Sequence, residues 1–154
     1  MITDKNITAL KTLHDKLSVI DWRLIGSTNL ALQGVDIEAK DIDIRIGIED
    51  IQAVQGALQN YCKKQIEYSQ SDGYSPFFGQ FNIDGVQVDV IADAVEKDGV
   101  KTIDDLLIIK PIIVEVDGIL IPCADLKTEY DAYIILGRYE KAELIKSAIS
   151  NGDK

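Results

Sequence analysis

Gly26-Ser27, thirteen intervening residues, and then Asp41-Ile42-Asp43-Ile44 set two carboxylates downstream of a small turn that carries a hydroxyl. Carboxylates hold hard divalent cations, and a Gly-Ser turn that opens a helix offers backbone N–H groups and a hydroxyl to an anion. Together these residue types suit metal-assisted chemistry on a nucleotide phosphate. Asp41 and Asp43 stand at i and i+2, so in a strand they share a face. A third carboxylate, Asp89, interrupts the run Val86-Gln87-Val88-Asp89-Val90. With the valines on one face of that strand, Asp89 falls on the other. Asp93 continues the same face at i+4 and is a rival for the third position, but the flanking valines favour Asp89.

Each of these residues also has an ordinary structural explanation. Ser27 would serve as a helix N-cap, and the aspartates as the charged solvent face of an edge strand. The chemical reading rests on all three carboxylates occurring in strand context beside one turn. His14, the sole histidine, lies on an amphipathic helix, which leaves no histidine-dependent catalytic triad.

Positioning these groups requires an alternating set of elements. Ile7, Leu10, Leu13 and Leu17 repeat at helical spacing and predict a first helix over about 6–17. A strand over 18–25 ends at Gly26-Ser27, and a short helix over 28–33 closes at Gly34. A loop over 35–40 feeds a strand over 41–46. Glu49-Asp50 then opens a helix through about Tyr61. Strands follow over 64–69, 77–83 and 86–92, the last two joined by Asp84-Gly85, a strong hairpin signal. A second Asp-Gly step, Asp117-Gly118, joins 112–116 to 119–121, and Pro122 begins a helix-rich tail through Ser150. The expected class is α/β or α+β, with a mixed, mostly antiparallel sheet flanked by helices, mainly on one side.

The 154 residues are 46% hydrophobic, enough for one domain with its own core. The expected division is a core over about 1–121 and a helical tail over about 122–150. No apolar run approaches the roughly 18 to 20 residues that span a bilayer, and residues 1–6 lack a signal-peptide layout, so a cytoplasmic protein is expected. Cys62 and Cys123 have no metal-ligand spacing and read as free thiols. A formal charge of -10 disfavours nucleic acid as a partner and favours a cationic one.

The run Ile25-Gly26-Ser27, Asp41-Ile42-Asp43-Ile44 and Val88-Asp89-Val90 resembles the signature of the DNA polymerase beta-like nucleotidyltransferase superfamily in its small single-domain form. The tail is similar too, in Pro122-Cys123-Ala124-Asp125-Leu126-Lys127, Leu136-Gly137-Arg138-Tyr139-Glu140-Lys141 and Leu144-Ile145. One departure is that the family's tail commonly follows its arginine with a Lys-Asp pair, where this chain has Glu140-Lys141, which weakens a phosphate contact for Lys141. The resemblance implies transfer of a nucleoside monophosphate from a nucleoside triphosphate with two Mg2+ ions. It implies that Asp41, Asp43 and Asp89 are the metal ligands and catalytic carboxylates, and that Gly26, Ser27, Arg138 and Lys127 bind the nucleotide. Asp89 would also accept the acceptor's proton.

The acceptor classes implied are a small molecule such as an aminoglycoside-like antibiotic, a protein side chain, or an RNA end in a toxin-antitoxin setting. The acidic charge leans toward the first two. The competing reading is a non-catalytic nucleotide-binding or toxin-antitoxin-type interaction module that kept the fold. Phe77-Phe78 beside Tyr74 would stack a nucleobase or pack in the core.

Overall fold

In the computed structural model, the described residues are 2–68, 77–92 and 110–152. Helix α1 (Asp4–Lys16) starts where the Thr3 side chain accepts from the backbone N–H of Asn6, with Asp4 favourably placed in the first turn. Strand β1 (Trp22–Ile25) leads directly into α2 (Gly26–Leu32). Strand β2 (Ile42–Ile46) is followed by α3 (Ile51–Ala57), which is flanked by single 3-10 turns. Then come β3 (Cys62–Tyr68), β4 (Phe77–Ile83), β5 (Val86–Ala92), β6 (Ile112–Val116) and β7 (Ile119–Cys123). Helices α4 (Leu126–Ile135) and α5 (Tyr139–Gly152) complete the order.

The seven strands form one sheet in the order β3-β4-β5-β2-β1-β7-β6. Its pairings are antiparallel except for β2 with β5 and β1 with β7. Both Asp-Gly hairpins turn with positive φ at each residue, Asp84 and Gly85 in one and Asp117 and Gly118 in the other. That is the backbone of the turn that matches strand twist, and it explains why the dipeptide marked both hairpins.

Alternation then sorts the side chains. Ile42, Ile44 and Ile46 of β2 and Val88, Val90 and Ala92 of β5 are buried with Leu10 and Leu13 of α1, Leu17 at its C-cap, and Val54 of α3. Asp43, Arg45, Asp89 and Ile91 take the opposite face, where α4 brings Glu129, Ala132 and Tyr133. Helices therefore cover both faces, not mainly one. A second, smaller core joins Leu30 and Val35 to Tyr133 of α4 and to Ala142 and Ile145 of α5.

Several boundaries differ from expectation. The residues before Trp22 turn out of α1 instead of extending β1; Ile20 N–H bonds to Leu17 C=O and Val19 is 94% exposed. Helix α2 begins at Gly26, not Thr28. Pro122 lies inside β7, paired with Ile113 across from β6, and the tail helix starts only after Asp125, whose carboxylate accepts from Thr128 N–H at 2.7 Å. The turn expected at 71–73 lies outside the described residues.

Candidate active site

Strand order brings two of the three aspartates side by side. β2 lies between β1 and β5, and the residues opposite Asp43 are Ile25 on one side and Asp89 on the other. Asp41 precedes β2 and is exposed. Burial raises the Asp43 carboxyl to about 7, with the negative charges of Asp89 and Asp41 and a hydrogen bond with Asp89 adding to the rise and Arg138 opposing it. A divalent cation between the two carboxylates would offset the repulsion that adds to this rise. Among the described residues no three carboxylate, imidazole or thiol groups converge to enclose an ion unaided. Magnesium does not require such a cage, since it binds through one or two carboxylates with phosphate oxygens and water completing the shell. Asp43 and Asp89, with Asp41 adjoining, fit that ion.

Gly26 makes room for this arrangement. Its φ is +77°, and a Cβ there would stand 2.4 Å from Oδ2 of Asp43. The glycine thus leaves room for the aspartate. Ser27 does not cap α2, because the N-cap position is Ile25. Its hydroxyl instead accepts from the backbone N–H of Lys40 at 3.2 Å, while the Thr28 hydroxyl donates to the Asp41 carbonyl at 2.9 Å. These two bonds tie the start of α2 to the end of the loop that delivers Asp41.

Beneath the turn lies a carboxylate that sequence reasoning missed. Glu129 of α4 is 3% exposed; its Oε2 accepts from Gly26 N–H and from the Asn29 amide, both at 2.9 Å. Asn29 also donates to the Ala124 carbonyl, as does Gln33. Burial raises the Glu129 carboxyl to about 8; the bonds from Asn29 and Gly26 pull it down, and Asp43 and Asp125 push it up. The first amide of α2 is thereby already committed. In sequence, Glu129 is one polar residue in the helix-rich tail, with no local mark to single it out.

Two adjoining cavities flank Asp43. One, of about 320 Å³, is walled by Asp43, Asp89, Arg45, Phe78 and Glu129 among others. The second, of about 420 Å³, is walled by Ser27, Lys40, Asp41 and Lys141. Asp43, Tyr133 and Arg138 line both. The Arg138 guanidinium sits over the Tyr133 ring, 6.0 Å from its centre. A wall of carboxylates thus adjoins a group of cations, Lys40, Arg138 and Lys141, of which Lys40 gave no sign in the sequence.

Other residues fall elsewhere. Lys127 is exposed in the first turn of α4 and lines neither cavity, and the same two cavities exclude His14. Cys62 and Cys123 are free thiols. Phe77 packs edge-on against Tyr68, whereas Phe78 faces the Asp89 cavity with Lys64 5.4 Å over its ring. Tyr74 and Asp93 lie outside the described residues.

The sequence profile of the aminoglycoside-2''-adenylyltransferase family matches residues 6–149. The chain belongs to this family. Family and fold make it a nucleotidyltransferase, as the sequence resemblance implied. A crystal structure of a candidate nucleotidyltransferase from Thermotoga maritima is 30% identical, with a TM-score of 0.76, over 98% of this chain and 96% of that one. A crystal structure of ANT(2'')-Ia in complex with adenylyl-2''-tobramycin aligns over 94% of this chain and 97% of that one, at 10% identity and a TM-score of 0.51. The solution structure of the antibiotic-resistance factor ANT(2'')-Ia aligns over 92% and 84%, at 11% identity and a TM-score of 0.58. At such identity these two speak for the fold. No curated protein matches the sequence. Among the described residues, no helix is long and apolar enough to cross a membrane.

Proposed function

We propose that this protein is a magnesium-dependent adenylyltransferase that moves AMP from ATP to a hydroxyl of a small molecule. The observation that carries this reading is Asp43 beside Asp89 across parallel strands, half-buried against Gly26 and faced by Arg138. Asp41, Asp43 and Asp89 would hold the metal, which when bound neutralises phosphate charge and aligns the attacking and leaving oxygens.

The chain's own residues divide the remaining work. Lys40, Arg138 and Lys141 share the cavity beside Ser27 with Glu38, Asp41 and Asp43, which supports placing the triphosphate there, its negative charge met by the three cations where pyrophosphate leaves. The acceptor then enters on the Asp89 side, with Phe78 and Ile91 as an apolar wall. Its hydroxyl oxygen bonds to the α-phosphorus, the bond to pyrophosphate breaks, and the hydroxyl proton passes to Asp89. Holding both reactants against one rigid sheet supplies the proximity that such a transfer needs.

The family description and the formal charge of -10 make a cationic aminoglycoside hydroxyl the first acceptor class to try, with a protein hydroxyl next. The test uses ATP labelled at the α-phosphate, Mg2+ and a panel of aminoglycosides. Label transferred to an acceptor, with stoichiometric pyrophosphate, is the expected result. Nucleotide binding without pyrophosphate release across aminoglycosides and proteins would overturn it.

A further inference from the structure

Among the described residues, two side-chain amides converge on one oxygen of Asp89. Oδ1 accepts from the Gln87 side-chain amide at 3.1 Å and from that of Gln80 at 3.4 Å. Gln87 precedes Asp89 by two positions on β5 and shares its face, while Gln80 is its direct partner across the antiparallel β4–β5 pair. All three side chains are half-buried. We infer that Gln87 and Gln80 are positioning residues, which fix Asp89 by Oδ1 and so present its other oxygen, alone, to the reacting groups.

The residue types argue for this role. Lysine or arginine at either place would form an ion pair and draw off the charge that Asp89 offers to a cation or to a departing proton. Neutral amides orient the carboxylate and leave that charge available. Gln87 lies within the ordinary 2.7–3.2 Å range of an N–H···O bond and Gln80 just beyond it, so Gln87 is the stronger of the two. Phe78 and Ile91 occupy the neighbouring pair on the same face, which closes the apolar side of the cavity next to the carboxylate. Asp89 is thereby confined to a single-oxygen contact with whatever stands between it and Asp43.

The inference rests on the metal-site reading above, and the test separates the two. Mn2+ is titrated, with paramagnetic resonance as the readout, into the protein saturated with a non-hydrolysable ATP analogue. The wild type is expected to bind Mn2+, and Asp43→Asn to lose it. Gln87→Met keeps length and removes the donor; Mn2+ affinity is expected to fall about 10-fold, with Gln80→Met smaller in effect. Melting temperatures of the methionine variants stay at the wild-type value, since a merely structural role would lower them and leave Mn2+ affinity alone. Should Gln87→Met melt early, Gln80→Met carries the comparison. Wild-type Mn2+ affinity in both methionine variants and their double would overturn the inference while the metal site stands. No Mn2+ binding by the wild type would overturn both.

Discussion

The backbone N–H of Gly26 donates to Oε2 of Glu129 at 2.9 Å, across 103 positions of sequence. This bond joins the tail helix α4 to the turn on which Asp43 depends. On its other side, Gly26 touches Asp43 so closely that no side chain fits between them. Glu129, Gly26 and Asp43 therefore form one stack, in which α4 supports the carboxylate pair from below.

Glu129 should govern how stability responds to pH. Its carboxyl titrates near 8 in the fold against an ordinary value of 4.5, so between those values the folded chain holds a proton that the unfolded chain has released. Stability must then fall as pH rises through that window, and level off above it. Glu129→Gln keeps an acceptor oxygen for Gly26 and Asn29 while removing the titration. Its melting temperature in metal-free buffer should decline less than the wild type's between about pH 5 and 8. An identical slope in the variant would remove Glu129 from this role.

Asp43 contributes a second, lower step in the same direction, from 3.8 to about 7. Above about pH 7 its charge is a cost to the metal-free fold. Asp43→Asn should hold or raise the melting temperature at pH 8 without metal, yet abolish Mg2+-dependent ATP binding. Isothermal calorimetry and thermal melts read the two effects separately. A large loss of stability in metal-free buffer would mean that Asp43 serves the fold first.

Gly26→Ala tests the stack from the other side. The left-handed backbone alone costs alanine about 1–2 kcal/mol, and the clash with Asp43 adds to it. For a chain of this size that is a fall in melting temperature of about 2 to 8 °C. Because the new methyl displaces Asp43, metal-dependent ATP binding should drop further than the stability change accounts for. Unaltered binding in a folded variant would show that Asp43 has room to move.

What the sequence made legible was local. Alternation placed Asp43 and Asp89 off the apolar faces of their strands, and two Asp-Gly steps located both hairpins, because each signal is written within a few residues. Contacts that depend on strand order were not written that way. Nothing near residue 43 says that β5 lies beside β2, and nothing near residue 129 says that α4 passes under Gly26. The ordinary alternative for Ser27 was a cap, since Ser commonly caps, but the helix begins two residues earlier than that would require and the hydroxyl turns to the Lys40 amide. Lys40 looked like any loop lysine. Its place in the cavity wall follows from that same bond.

Arg138 offers the last test, because it lines both cavities and its charge acts on Asp43. It is exposed, so Arg138→Ala should leave the melting temperature nearly unchanged. If the guanidinium meets the triphosphate, Mg-ATP affinity should weaken about 10- to 150-fold, since a charge-assisted bond to phosphate is worth about 1.5–3 kcal/mol. Part of what is lost is electrostatic, so wild-type affinity should fall more steeply with salt than the variant's. Arg138→Lys keeps the charge but not the planar contact with Tyr133, and should fall between the two. Calorimetry at low and high salt makes the comparison. Equal affinities and equal salt slopes in wild type and Arg138→Ala would assign the triphosphate to Lys40 and Lys141 instead.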